Sequence, residues 1–288
     1  MINGLPGPMA TSVAEACLRK GLTLAPYGLT GPNIKPSPWL VTDPDTGNSA
    51  SVTLVNDVEQ IGTEALQKMR AECDDIVVID YTHPTAVNGN AEWYVKNKLP
   101  FVMGTTGGDR EKLVLDVTKG KLFAVIAPNM GKQIVAMQQS LGNLAKTFPS
   151  AFSGYKLKVV ESHQKTKADT SGTALAVIES INEMTSPGSN FDVDDVTLTR
   201  TDEGSLAFGV PKEFVTAGHA YHTYTLTSPD GTVEFELKHN VNGRRVYAEG
   251  SADAVKFLNK KVEEGGEAKI FNMIDVLESG SLEDVIIK

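Results

Sequence analysis

Basic charge, cysteine and long apolar runs are all scarce in this chain. Lysine and arginine total 27 against 36 aspartates and glutamates, a formal net charge of −9. So acidic a chain lacks the broad basic surface of a general nucleic-acid binder. Any anionic ligand must therefore be met by local positive charge. Two cysteines, Cys17 and Cys73, make neither a disulfide framework nor a metal cluster, and a reducing cytosol is the expected compartment. No apolar run approaches the length of a membrane span, and no signal peptide or transit peptide is visible. Internal repeats and low-complexity tracts are absent as well. What remains is a chain of 288 residues, 41% hydrophobic, enough for one large domain or two smaller ones with a real core.

The first residues read as the end of a short strand running into a glycine turn and a helix. Gly4, Gly7 and Ala10 fit the dinucleotide fingerprint, and Pro8 suits the first helical turn. Gly4 would make the tight turn, Gly7 would admit a pyrophosphate, and Ala10 would let helix and sheet pack closely. The strand before Gly4 has about three residues where about five are usual, so either it is short or the true start lies upstream. A second strand is predicted near Leu22 to Tyr27, followed by Gly28-Leu29-Thr30 without an acid. An NAD site places a ribose-binding Asp or Glu about there. Its absence favours NADPH, with Lys35 a candidate for the 2′-phosphate.

Residues 31–48 read as loop, rich in Pro, Gly, Asn and Asp. Strands are predicted at Ser51 to Val55, Ile76 to Tyr81, Leu99 to Met103 and Leu122 to Ile126, alternating with helical patterns. The fold class is α/β, a Rossmann-like doubly wound parallel sheet. Three turns fall at the carboxyl ends of its strands, where such sheets bind ligands: Asp80 to Pro84, Gly104 to Gly107 and Ala127 to Gly131. A helix is expected over Gln133 to Thr147. From Tyr155 the pattern becomes that of an α+β domain, with a hairpin made of His219 to Thr227 and the alternating run around Val233, Phe235 and Leu237. A helix over Ser251 to Lys260 and a short element over Phe271 to Leu277 close the chain. The pattern places a first domain over 1–129 and a second over 130–245.

One stretch concentrates chemistry. Glu161 to Thr173 joins a strand (Tyr155 to Val160) to a helix carrying Ala174, Val177, Ile178 and Ile181 on one face. It holds His163, Lys165, Lys167 and a Ser171-Gly172-Thr173 helix start. Amides at a helix N-terminus bind anions, glycine permits close approach, and histidine exchanges protons near neutral pH. Taken alone, the stretch also fits a solvated lysine-rich loop with an ordinary cap.

Together these segments resemble the 4-hydroxy-tetrahydrodipicolinate (dihydrodipicolinate) reductase family of the diaminopimelate route to lysine. The matching pieces are Asn3-Gly4-x-x-Gly7-x-Met9, Asp80-Tyr81-Thr82-x-Pro84, Gly104-Thr105-Thr106-Gly107, Ala127-Pro128-Asn129-Met130, Glu161 to Thr173, and Arg244-x-x-x-Ala248-x-Gly250. The resemblance implies a nicotinamide-binding Rossmann domain, a substrate and oligomerisation domain on an open mixed sheet, and a C-terminal segment, 246–288, that returns to complete the first domain. It implies reduction of a cyclic imine-type dicarboxylate with loss of water, by a homo-oligomer, dimer or tetramer. His163 resembles the proposed general acid, or a group stabilising the reduced intermediate. Lys167 resembles a lysine that contacts substrate and assists proton delivery. Ser171, Gly172 and Thr173 resemble the carboxylate seat, and Thr106 a threonine reaching the substrate from the cofactor side. Gly4, Gly7, Pro8 and Met9 match the pyrophosphate turn. Tyr81, Thr82, Gly104, Thr105, Ala127, Asn129 and Met130 match the turns around ribose and nicotinamide, and Arg244 a cofactor-side arginine. NADPH is the implied cofactor, with NADH possible, and no metal is expected.

The chain departs from many bacterial members in two ways. Their two adjacent histidines are replaced by His163-Gln164, so any role of the second is lost or passed to Gln164 or Lys165. The step from Lys167 to Ser171 is one residue shorter. Both features, with Thr170, are closer to the plant-type branch. Two other readings compete: a non-catalytic NADPH-binding redox sensor, and another two-domain aspartate-family dehydrogenase. An aldehyde dehydrogenase of that kind needs a catalytic cysteine, which neither Cys17 nor Cys73 is placed to supply.

Overall fold

A computed structural model describes residues 1–58, 61–73, 75–185 and 191–280. It divides into two compact units, Met1–Lys132 with Arg245 onward, and Gln133–Arg244.

In the first unit β1 (Ile2–Asn3) leads through the glycine turn into α1 (Pro8–Arg19), with Pro8 in its first turn and Ala10, Val13, Ala14, Ala16 and Cys17 buried. Then come β2 (Tyr27–Leu29), β3 (Pro38–Thr42), β4 (Ser49–Val55), α2 (Ile61–Glu72), β5 (Val78–Asp80) and α3 (Val87–Lys96). The sequence continues with β6 (Phe101–Met103), α4 (Arg110–Lys119, capped by Asp109) and β7 (Ala124–Ile126). The second unit holds α5 (Lys132–Thr147), β8 (Lys156–His163), α6 (Gly172–Met184), β9 (Thr197–Thr199), α7 (Asp202–Ala207), α8 (Lys212–Ala217), β10 (His219–Thr227) and β11 (Glu234–Asn242). The chain returns to the first unit as α9 (Arg245–Glu264), β12 (Ile270–Phe271) and α10 (Met273–Glu278).

The first unit carries a parallel sheet in the order β1-β5-β6-β7-β12 and a three-stranded sheet β2-β4-β3. The second carries a mixed sheet β11-β10-β8-β9, antiparallel except where β8 meets β9. Apolar runs buried on both sides make the parallel strands, with Val78, Phe101, Met103 and Ala124 in one core with α2, α3 and α4. Val159, Tyr224 and Leu226 pack with Ala174, Val177, Ile178 and Ile181 of α6 in the core of the second unit.

Several elements differ from the sequence expectations. The second strand starts at Tyr27 instead of Leu22, because its partner is β4, with Tyr27 opposite Thr53 and Leu29 opposite Val55. Gly28, expected in the following loop, is inside that strand, where any Cβ would sit 2.2 Å from the Ile2 carbonyl oxygen. The loop over 31–48 contains β3, an edge strand pairing antiparallel with β4. Its composition hid it, since Trp39 and Leu40 are exposed and edge strands tolerate Pro. The β3–β4 hairpin is fastened by Arg19, which bonds both Asp43 and Glu249 of α9. The last long helix begins at Arg245, six residues early, because Ala248, Gly250, Ser251, Ala252 and Ala254 form a small buried face. A Cβ on Gly250 would meet the Met130 carbonyl oxygen at 1.8 Å, so glycine here serves close packing and does not end the helix. The element expected over Phe271 to Leu277 is two, β12 and the Asn272-capped α10.

Candidate active site

β8 alternates. Leu157, Val159, Glu161 and His163 fall on one face, and the paired strands add Leu226, Tyr224 and His222 from β10 and Leu237 and His239 from β11. Along the strands this face changes from apolar packing to a cluster of titratable side chains. His163 is buried, with its Nε2 3.2 Å from Nε2 of His222. The same His222 nitrogen lies 3.4 Å from Glu161 Oε2. Glu161 is fully buried and is also bonded by the Arg200 guanidinium and by the backbone N–H of Ser171.

Burial alone would push the Glu161 carboxyl up. Hydrogen bonds from His222, Arg200 and the Ser171 amide outweigh it and hold it at about 2. Burial, then the neighbouring His222, pushes His163 down to about 3 against the pull of Glu161. Burial and His222 take His239 to about 4. Glu161 is thus a carboxylate and His163 a neutral imidazole at neutral pH. The donor atoms of Glu161, His163 and His222 lie within 4.8 Å of one another, a spacing a divalent ion could share. The guanidinium on Glu161 places positive charge beside that space, and the cluster is already linked by hydrogen bonds, so it reads as a proton-handling group.

Arg200 also organises the following loop. Its Nε donates to the Lys167 carbonyl at 2.6 Å and its Nη2 to the Asp169 carbonyl at 3.2 Å. Lys167 pairs with the exposed Asp169 at 3.0 Å. Ser171 caps α6, its Oγ accepting from the Thr173 amide. Two amides of the expected anion seat therefore have internal partners, Ser171 with Glu161 and Thr173 with Ser171 Oγ. An arriving carboxylate would meet the open flank of Gly172, where a Cβ would touch nothing within 4 Å, and would compete for the Thr173 amide. The two candidates for a partner to His163 stand elsewhere. Lys165 is exposed, and Gln164 follows the outward alternation, its amide nitrogen near Gly218. His163 instead meets His222, and Arg200 bonds the neighbouring Glu161; the sequence reading missed both. The strand signal around His219 was legible, but the register that sets His222 opposite Glu161 was not.

The first unit gathers most of the predicted cofactor residues at the carboxyl ends of its parallel strands. Gly4 has φ +103°, and a Cβ there would lie 2.4 Å from the Tyr81 carbonyl oxygen. Gly7 is the N-cap of α1 with no side-chain capping bond, and no acid stands in the first turn, so the positive helix end is uncompensated. That geometry fits a pyrophosphate. Asp80 is fully buried and accepts from Thr82, Asn90 and Tyr94, with Thr105 bonding its carbonyl. Tyr81 bonds Ser251 at 2.6 Å and fills the space beside Gly104. Thr106 is exposed, Met130 is buried, and Asn129 accepts from the Gly131 amide. Arg244 is the last residue of the second unit and donates to the Ala217 carbonyl.

Comparison with known proteins adds an independent finding. The family described as "Dihydrodipicolinate reductase, N-terminus" matches residues 1–130, and "Dihydrodipicolinate reductase, C-terminus" matches residues 133–277. "Probable 4-hydroxy-tetrahydrodipicolinate reductase 1, chloroplastic" of Oryza sativa subsp. japonica is 44% identical over 98% of this chain and 79% of its own length. A 4-hydroxy-tetrahydrodipicolinate reductase of Burkholderia pseudomallei is 27% identical over 93% of this chain and 99% of its own. In fold, the chain resembles a dipicolinate-bound dihydrodipicolinate reductase from Paenisporosarcina sp. TG-14, with a TM-score of 0.59 and 19% identity over 93% of this chain and 96% of that one. Matched along both units, the chain belongs to the dihydrodipicolinate reductase family and shares more of its sequence with the rice protein than with the bacterial one.

Proposed function

We propose that this protein reduces 4-hydroxy-tetrahydrodipicolinate to tetrahydrodipicolinate with a reduced nicotinamide cofactor, in the diaminopimelate route to lysine. The observation that carries the mechanism is the buried, neutral His163 at the end of β8, next to the Glu161 carboxylate that ties β8 to the start of α6. The first unit is the dinucleotide-binding domain and the second the substrate domain. Gly4, Gly7, Pro8 and Met9 would hold the pyrophosphate. The turns with Tyr81, Thr82, Gly104, Thr105, Ala127, Asn129 and Met130 would hold ribose and nicotinamide. When bound, the cofactor supplies the hydride. Loss of the 4-hydroxyl as water would give a conjugated imine, and a hydride delivered to it would leave negative charge there. A neutral imidazole held in a dry site can donate a hydrogen bond to such charge without being consumed as an acid. Lys167 then serves as the cationic proton source, released from Asp169. In the second unit the Ser171–Thr173 turn would orient the dicarboxylate. The missing acid after β2 and the exposed Lys35 favour NADPH.

Purified protein should oxidise NADPH only when the product of dihydrodipicolinate synthase is supplied, and faster than NADH in initial rates. Folded, cofactor-binding protein that shows no such oxidation would end this reading. His163→Gln should lower turnover by roughly 10²- to 10³-fold and leave NADPH affinity unchanged.

Copies of the chain are proposed to associate through the sheet face of the second unit that carries Lys156, Lys158, Thr225, Glu234, Glu236 and Lys238, most of them exposed. A monomer in sedimentation velocity would remove that reading. Among the described residues no helix is long and apolar enough to cross a membrane. The plant relatives are named chloroplastic. For this chain a reducing compartment is proposed, the cytosol or a plastid, which suits the unpaired Cys17 and Cys73.

A further inference from the structure

We propose that His222 is a positioning residue for His163: its Nε2–H, shared between the Glu161 carboxylate and His163 Nε2, holds the His163 ring with its own proton on Nδ1. The inference rests on the reductase reading, in which His163 donates a hydrogen bond to the substrate.

Hydrogen accounting carries it. Three atoms converge: His222 Nε2, His163 Nε2 at 3.2 Å and Glu161 Oε2 at 3.4 Å. An ionised carboxylate only accepts. If His222 carried its proton on Nδ1, a bare Nε2 lone pair would face the carboxylate. The N–H would then lie on an atom that is buried and has no hydrogen-bond partner among the described residues. A buried orphan donor costs roughly 1–3 kcal/mol. The proton therefore belongs on Nε2, where one N–H faces two acceptors. His163 Nε2 must then be bare, and a neutral His163 carries its proton on Nδ1, the opposite edge of the ring.

The donor is itself rigid. His222 is 1% exposed and stacks on His239 with ring centroids 4.6 Å apart and on Tyr224 at 6.3 Å. His163 meets its ring edge-on, at 5.0 Å and 73°. The charged and titratable groups around the pair come from every neighbouring element: Glu161 on β8, Tyr224 on β10, His239 on β11, Arg200 after β9, and Lys167 and Asp169 in the loop before α6. Arg200 and Lys167 oppose a charge on His163, and Glu161 favours one. The fixed N–H adds a further obstacle to protonation at Nε2. Burial first, and His222 with it, keep His163 neutral across neutral pH, and the His222 N–H aims the His163 N–H edge away from the cluster.

The test is ¹⁵N NMR of the histidine side chains in the full wild-type chain, with turnover measured on His222→Phe and His222→Gln. The expected result is a neutral His163 with a bare Nε2 and a protonated Nδ1 through the neutral range. His222→Phe should shift that tautomer, lower kcat roughly tenfold or more without changing KM for NADPH, and move the acid limb of the kcat profile to higher pH. His222→Gln, which keeps an N–H near the same place, should recover most of the loss. A wild-type His163 protonated on Nε2 overturns the proposal. So does a His222→Phe variant that turns over normally, or one that loses activity with tautomer and acid limb unmoved. Wild type that fails to oxidise NADPH with substrate would defeat the reductase reading instead, and the tautomer would still decide the pairing.

Discussion

At the scale of single residues the second unit depends on Arg200 more than any sequence pattern suggests. One guanidinium neutralises the fully buried Glu161 and bonds the carbonyls of Lys167 and Asp169. Without it the carboxylate stays buried with two weaker partners, and the loop that carries Lys167 loses its anchor. Breaking a buried pair by removing one partner typically costs about 3–5 kcal/mol. Arg200→Met should therefore lower the unfolding free energy by about 3 kcal/mol in a urea titration, with turnover falling further than stability explains. A change below about 0.5 kcal/mol, the range of an ordinary surface substitution, would show that the pairing is incidental. A second buried group, Ser162 with Ser205 and His219, resembles a nucleophile beside a base, with Ser162 Oγ 2.9 Å from His219 Nε2. Ser162 is fully buried and His219 donates its other nitrogen to the Phe214 carbonyl, so all its bonds are internal and it braces α7 and α8 against the sheet.

At the scale of elements, the start of α6 is the clearest prediction from sequence and also the one most refined by the structure. Ser171-Gly172-Thr173 was legible as a helix start because a small polar residue precedes an apolar face of period 3.6. That two of its amides are already engaged was not legible, since Glu161 reaches Ser171 only once β8 is folded. The planar mimic pyridine-2,6-dicarboxylate should compete with substrate at this turn. Thr173→Val should weaken its inhibition by roughly fivefold to tenfold, about the net worth of one hydrogen bond. Unchanged inhibition constants in steady-state kinetics would move the carboxylate seat elsewhere. β3 shows the reverse case. Its exposed, proline-bearing sequence looks like loop, and only its pairing with β4 makes it a strand.

For the whole molecule the titratable cluster sets a direction for acid stability. His163 and His239 titrate near 3 and 4 when folded and near 6.5 otherwise, so the folded state binds fewer protons than the unfolded state across that interval. Stability must then rise with pH there, and is lost as pH falls from about 6.5. Glu161, at about 2 against an ordinary 4.5, adds a loss in the same direction between those values. Urea titrations at a series of pH values should give a steady fall in stability below about 6.5. His163→Gln should flatten part of that fall. Equal stability at pH 5 and pH 7.5 would contradict the buried, neutral state of both histidines.

The sequence by itself determined whatever depends on local order. Apolar runs, glycine turns and helix starts fixed the alternation of strands and helices, the Gly4–Gly7 turn and the chemistry packed between Glu161 and Thr173. Those signals lie within a few residues of one another, where backbone geometry and side-chain period leave few choices. Only the tertiary structure decided which strands pair and in what register. It put His222 opposite Glu161 from a strand 59 residues beyond His163, and brought Arg200 onto that carboxylate from beyond β9. Long-range pairing follows from burying faces against one another, and a one-residue shift in register would carry His222 to the other side of the sheet.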